Sequence, residues 1–262
     1  MPVTIGRAWA WAALGVPALL GSRAALATGT FGGSLALTSD YVYQGLSLTC
    51  GGSAAQADVH YQIGPAQSAT RSFLGVWGSA GLGREPCHQD REINLYAGQR
   101  FAAGADSSIT LSYVHYAYPG GSYIYEPLAG RRYDYDQLGI SWAYQDRLYV
   151  SAEWTPNAVR YAGASPYAGA YEVSVRRAGA FSGGVQLQQP LAKALSLAVG
   201  VGYDEVYDPY GAGYAFGSAA LIYNIGRFDL SAAYFRTAPR AERIFGPYVA
   251  GSRGSATLTW RF

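Results

Sequence analysis

From Phe31 to Phe262 apolar residues recur at every second position, and beyond residue 27 no stretch approaches the run of about 20 apolar residues that a membrane-crossing helix needs. In Ala55–Ile63, the residues Ala55, Ala57, Val59, Tyr61 and Ile63 fall on one face. Gln56, Asp58, His60 and Gln62 fall on the other. Asp90–Phe101 and Leu195–Asp204 repeat the pattern. Successive side chains of a strand point to opposite faces, so this period reads as β-structure with one apolar face. Alternating segments of about ten residues separated by turns are characteristic of a transmembrane barrel. Backbone amides cannot be left unpaired in lipid, so strands cross a bilayer only as a closed sheet.

The segments number twelve: near 34–47, 53–63, 71–80, 89–101, 107–117, 133–144, 147–156, 170–188, 195–204, 214–224, 228–236 and 252–262. Dividing 170–188 at Arg176-Arg177-Ala178-Gly179 leads toward the alternative of fourteen, but Val175, Phe181, Val185 and Leu187 keep one parity across that point. The expectation is an all-β, antiparallel, up-and-down transmembrane barrel of twelve strands. A soluble β-sandwich alternates too. Its outer face is normally charged, whereas only 14% of this chain is charged, against about 25% in an average globular domain. The 23 Tyr and 6 Trp suit the aromatic girdles of a barrel at the membrane interfaces.

The connections alternate as well. Tyr144–Arg147 and Asn224–Arg227 are tight, whereas Ala117–Arg132, Pro156–Gly169, Tyr203–Gly213 and Thr237–Gly251 are long. Short turns belong on the periplasmic side and long loops outside. Cys50 and Cys87 then fall in the first two outer loops. In an exported protein that pair reads as a structural disulfide, with a loop-closure contribution of about 4 kcal/mol.

Export is itself predicted. Arg7, the apolar run Ala8–Leu20 and the small-x-small site Ala25-Leu26-Ala27 make residues 1–27 a signal peptide, leaving 28–262 as the barrel of a Gram-negative outer membrane. Removing Arg7 and Arg23 leaves 17 basic residues against 17 acidic ones, and a neutral chain offers nothing to nucleic acid. At the other end Leu258, Trp260 and Phe262 share one face. A terminal aromatic on an alternating last strand resembles the address read by the bacterial barrel-assembly machinery.

Several segments resemble the TorF-type porin family, a proteobacterial group of conserved hypothetical outer-membrane proteins. The resemblance rests on Leu35–Ser47 (LALTSDYVYQGLS), Gly75–Ser79 (GVWGS), Glu92–Gly98 (EINLYAG) and Tyr113–Gly120 (YVHYAYPG). It covers the first half of the chain, with strand rhythm and the TWRF end beyond. Where the family usually has Arg, this chain has Gln44. The resemblance implies an outer-membrane barrel, labelled a porin by analogy.

On the inward parity lie the acids Asp40, Asp58, Asp90, Glu92, Glu153, Glu172, Asp204 and Asp229 and the bases Arg100, Arg176, Arg253 and Arg261, together with His60 and Asn94. Charges lining a pore set its ion preference. The expected function is a channel that passes small solutes or ions through a narrow, mildly acidic lumen. Its expected partners are membrane lipid, the assembly machinery and the solute. The alternative is a plugged structural or docking barrel that uses the Tyr-rich loop Tyr118–Tyr135 as a contact surface. An enzyme acting on lipid is the remaining alternative: His115 sits near the outer end of its strand on the lipid-facing parity, but no spacing nominates a Ser and an acid to join it. No catalytic role is therefore expected. Three dispersed His and two paired Cys predict no metal site, and no cofactor motif is present.

Overall fold

In a computed structural model of the protein, the described residues are 29–65, 68–83, 91–120, 134–162, 174–208 and 211–262. They form β1 (Gly29–Thr38), β2 (Val42–Tyr43), β3 (Leu46–Ser47), β4 (Ala54–Ile63), β5 (Thr70–Gly81), β6 (Arg91–Ala102), β7 (Ser107–Ala117), β8 (Tyr135–Tyr144), β9 (Leu148–Ala162), β10 (Ser174–Pro190), β11 (Leu195–Asp208), β12 (Gly211–Ile225), β13 (Phe228–Thr237), α1 (Pro239–Phe245) and β14 (Ser252–Arg261). β1 and β4–β14 pair in chain order and close, β1 against β14, into a twelve-stranded antiparallel barrel. β2 and β3 pair only with each other.

The alternation becomes an inside and an outside. In β6 Glu92, Asn94 and Tyr96 are buried, while Ile93 and Leu95 between them are exposed. Around the whole outer wall the exposed set is apolar, from Leu35 and Val59 to Val201, which is 64% exposed, and Leu258. An apolar belt of that extent has no place in water and matches a hydrocarbon environment. Trp142, Tyr144, Tyr223, Trp260 and Phe262 edge the belt at the end where β1 begins and β14 finishes, and Tyr113, Trp154, Tyr203 and Tyr234 edge it toward the other end.

The seam depends on the last residue. Phe262 exchanges backbone hydrogen bonds with Gly33 at 3.1 and 3.2 Å, continuing the β1–β14 ladder past its last strand residue. Its ring lies over Gly33, where a Cβ would come within 2.6 Å of the Phe262 ring and 2.5 Å of the Asp58 carbonyl. Glycine is the residue that leaves room for the ring.

Three elements differ from the sequence expectation. The first predicted strand, 34–47, stops at Thr38, and the chain then turns into the barrel as the β2–β3 hairpin. Pro156 does not end its strand: β9 runs on to Ala162, with a bulge where Thr155 and Ala158 oppose Ala180 and Ala178. A bulge relieves a proline of its ladder bond, which is why the strand survives it. The predicted loop 203–213 is largely strand, since β11 and β12 extend to Asp208 and from Gly211. The loop after β13 carries α1, opened by Pro239 and stopped at Gly246, whose φ is 82°. The segment 170–188 is a single strand from Ser174 onward. Residues 1–28, with the expected signal peptide, lie outside the described residues.

Because the seam has no room for a branched side chain, Gly33→Val is expected to destabilise the barrel by about 1–3 kcal/mol, the usual range for overpacking. The expected readout is a lower temperature for loss of the compact, heat-modifiable form on denaturing gels. An unchanged temperature would contradict the seam geometry.

Candidate functional site

The hairpin occupies the end of the lumen opposite that where β1 begins and β14 finishes. Gln44 and Gly45, with φ of 49° and 80°, make the tight primed turn that joins two-residue hairpins. The tip reaches one wall: Tyr214 donates its hydroxyl to the Gln44 carbonyl at 3.2 Å, and a Cβ on Gly45 would meet Thr237 and Phe216 within 2.9 Å. The base of the hairpin reaches the other wall. Tyr41 donates to Glu92 Oε2 at 3.0 Å and packs on Trp77, and the Tyr43 and Tyr116 hydroxyls lie 3.4 Å apart. β6 and β12 are diametrically placed in the strand order, so the hairpin spans the barrel.

Asp40 holds this arrangement. Its Oδ1 accepts from Ser47 Oγ at 2.5 Å and from Thr49 Oγ1 at 2.9 Å, and its Oδ2 faces Arg253 Nη1 at 3.7 Å. Its backbone carbonyl accepts from Thr38 and Ser255, both at 2.8 Å. Thr49 in turn accepts from the Tyr41 amide, and Ser47 from the Gly51 amide. Asp40 thus ties the hairpin to β1 through its backbone carbonyl and to β14 through both its carbonyl and its carboxylate.

Below the hairpin the two halves of the wall differ. The β4–β9 side carries the acids. Asp58 accepts from Tyr96 at 2.6 Å and lies 2.6 Å from His60 Nδ1; Glu92 accepts from Asn94 at 2.7 Å; Glu153 accepts from Ser182 at 3.3 Å. Asp204, on β11, stands across Ser182 from Glu153 in the ladder. Among the described residues none of these four has an Arg or Lys at ion-pair distance. The opposite side is lined by small and neutral groups, including Gln186, Ala198, Ser218, Ser231 and Ser255. Between that side and the hairpin lies a cavity of about 50 Å³, room for a few waters.

At the terminal end the remaining charges collect. Arg261 pairs with Asp229, which also accepts from Asn224, while Arg100 Nη2 lies 3.3 Å from Asp146 Oδ1. Asp90, Glu172 and Cys87 lie outside the described residues, as does the side chain of Arg176. Arg71, which the sequence analysis did not single out, faces the interior directly opposite Arg100. The signal available was its inward parity with Phe73 and Trp77. The roles of Tyr41 and Trp77 were likewise missed, because their contacts exist only once the hairpin turns inward.

On the outer wall, the structure supplies an acid that the sequence did not connect to His115. Asp136 lies 2.8 Å from His115 Nδ1 and accepts from Tyr113 and Asn157, each at 2.7 Å. The β9 bulge is what turns Asn157 to this face. No serine joins them in the described contacts.

The sequence profile of a bacterial family of unknown function, Gcw_chp, matches residues 23–237. The chain belongs to the Gcw_chp family. The match takes in the hairpin and every strand through β13. No curated protein matches this Gcw_chp member in sequence. A membrane protein from a study of in-meso crystallization superposes with a TM-score of 0.54 at 10% identity, over 89% of this chain and 83% of that one. Such a likeness shows the fold alone. OmpF of Salmonella typhi in complex with daunomycin (TM-score 0.46, 8% identity, 89% and 97% covered) is also similar. So is the COG4313 outer membrane channel of Pseudomonas putida F1 (TM-score 0.44, 11% identity, 90% and 96% covered).

If Asp40 is the tether, Asp40→Ala takes the carboxylate from Arg253 and strips the two side-chain hydroxyl contacts of Ser47 and Thr49, a loss on the order of 3 kcal/mol. The expected outcome is a barrel that still closes but whose 39–53 segment is cut by added protease, with a lower melting temperature. Protection equal to the parent's would remove Asp40 from this role.

Proposed function

We propose that this Gcw_chp member is an outer-membrane channel for small cations and small solutes, narrowed by its own β2–β3 hairpin. The observation that carries the reading is a closed, lipid-compatible barrel whose interior is crossed by a hairpin on the acid-bearing side. Asp40 and Asp229 face Arg253 and Arg261, whereas Asp58, Glu92, Glu153 and Asp204 have no Arg or Lys at ion-pair distance among the described residues and supply the acidity along the passage. Fixed negative charge in a narrow, low-dielectric passage favours cations. The resemblance of Leu35–Ser47 and its companion segments to the TorF-type porins supports the same reading. A filled barrel that conducts nothing is the alternative, and the breadth of the hairpin's contacts is what favours it.

The reading includes export by the 1–27 signal peptide, insertion by the barrel-assembly machinery through Leu258, Trp260 and Phe262, and a Cys50–Cys87 disulfide between the first two outer loops. It is supported by Phe262 closing the seam and by the absence of a free cysteine among the described residues. It assigns no catalysis: Asp136, Tyr113 and Asn157 hold His115 as an anchor at the interface, the usual place of such amphipathic side chains.

In planar bilayers with a salt gradient, the refolded protein is expected to show a cation-selective reversal potential. Glu92→Gln and Asp58→Asn, which keep the shape of each side chain, are expected to move that potential toward zero. An anion-selective parent, or variants indistinguishable from it, would refute the charge argument.

A further inference from the structure

The end of the lumen where β1 begins and β14 finishes opens into a cavity of about 530 Å³, bounded by the 103–106 and 145–147 turns and by Arg71, Arg100 and Arg147. Arg71 and Arg100 face each other directly across the β5–β6 ladder, both half-buried and both on the inward parity. Like charges directly opposite in a sheet are destabilising. The compensation is incomplete: Arg100 reaches the exposed Asp146 at 3.3 Å, whereas Arg71 has no carboxylate at ion-pair distance among the described residues. Sites where a fold keeps an unfavourable local arrangement beside a cavity are characteristically functional.

We propose that Arg71 and Arg100 form a binding site for a small oxyanion, a carboxylate or phosphate group, entering from the terminal end of the barrel. Two planar guanidinium groups converging on one cavity suit an anion with two or three oxygens, because each fork accepts a pair of them in parallel hydrogen bonds. Arg147 at the rim adds positive charge at the entrance, and Asp146 and Asp106 set how strongly the empty site attracts anions. Both arginines point into the lumen rather than toward the apolar outer wall, so the occupant is a free solute and not a lipid headgroup. The site stands at the far end of the passage from the hairpin and its acids, giving the lumen opposite charge at its two ends. Its occupancy does not require that the barrel conduct.

The test is calorimetric titration of the detergent-solubilised barrel with inorganic phosphate and with succinate at low salt, alongside thermal melts. Saturable binding of at least one probe is expected, weakened about ten-fold or more by Arg71→Gln or Arg100→Gln, on the scale of a lost charge-assisted pair. Arg71→Lys should retain part of it. In the absence of anion, Arg71→Gln should melt no lower than the parent, because the like-charge contact is relieved. The bound probe should raise the melting temperature of the parent alone. No saturable binding of either probe to the parent, binding that survives both Gln variants, or an anion-free Arg71→Gln barrel that melts below the parent would each overturn the site. A titration that fits only a linear, non-saturating signal counts as the first of these outcomes.

Discussion

Every backbone amide of a sheet that meets lipid must find its partner within the sheet, and in this chain that requirement is met at a single seam, β1 against β14. The seam is completed by the final residue, whose backbone pairs with Gly33 and whose ring covers it. Closure dictates the rest. It sends Leu35, Val59, Leu95 and their equivalents outward, and it commits Asp58, Glu92, Glu153 and Asp229 to the interior. An interior of that polarity cannot be an apolar core, so it must be hydrated or filled with its own hydrogen-bonding groups. The protein does both. The hairpin fills the end nearest the long loops, and cavities remain beside it and at the terminal end.

The hairpin is held by polar contacts that face one another across the lumen rather than by a continuous apolar core. Its apolar side chains pack in separate clusters. Leu46 packs with Tyr214 and Phe216 of β12 and Ala241 of α1, and Leu48 with Tyr41 and Ala54. Asp40 supplies the remaining fixation. Of residues 41–49 only Tyr43 and Leu46 are more than slightly exposed, so the element keeps a defined position. The charges divide as well: among the described residues, carboxyls without an Arg or Lys partner line the middle of the lumen, and Arg71, Arg100 and Arg261 lie at the end where β14 finishes.

The barrel was legible in the sequence because lipid and lumen impose opposite demands on alternate residues. Glu92 and Asn94 against Ile93 and Leu95 leave no other reading of β6. The hairpin was not legible for the same reason. Tyr41 and Tyr43 stay in step with Leu35 and Leu37, and parity does not distinguish a side chain facing lipid from one buried in a lumen. Pro156 read as a stop because its missing amide is fatal in a regular ladder, and only the bulge opposite Gly179 makes it tolerable. Asp136 and His115 sit 21 residues apart in sequence, and only the β7–β8 register brings them together. Arg71 carries no signal of its own in the alternation, because only the β5–β6 register sets it opposite another arginine.

If the hairpin, and not the barrel wall, limits passage through the lumen, removing it opens the channel. The most direct measurement compares single-channel conductance of the parent with that of a variant in which Tyr41–Leu48 is replaced by a short Gly-Ser linker, the wall left intact. A several-fold larger conductance is expected in the variant, whose barrel still runs as the compact form on unheated heat-modifiability gels. Equal conductance from two correctly closed barrels would contradict it and place the constriction elsewhere.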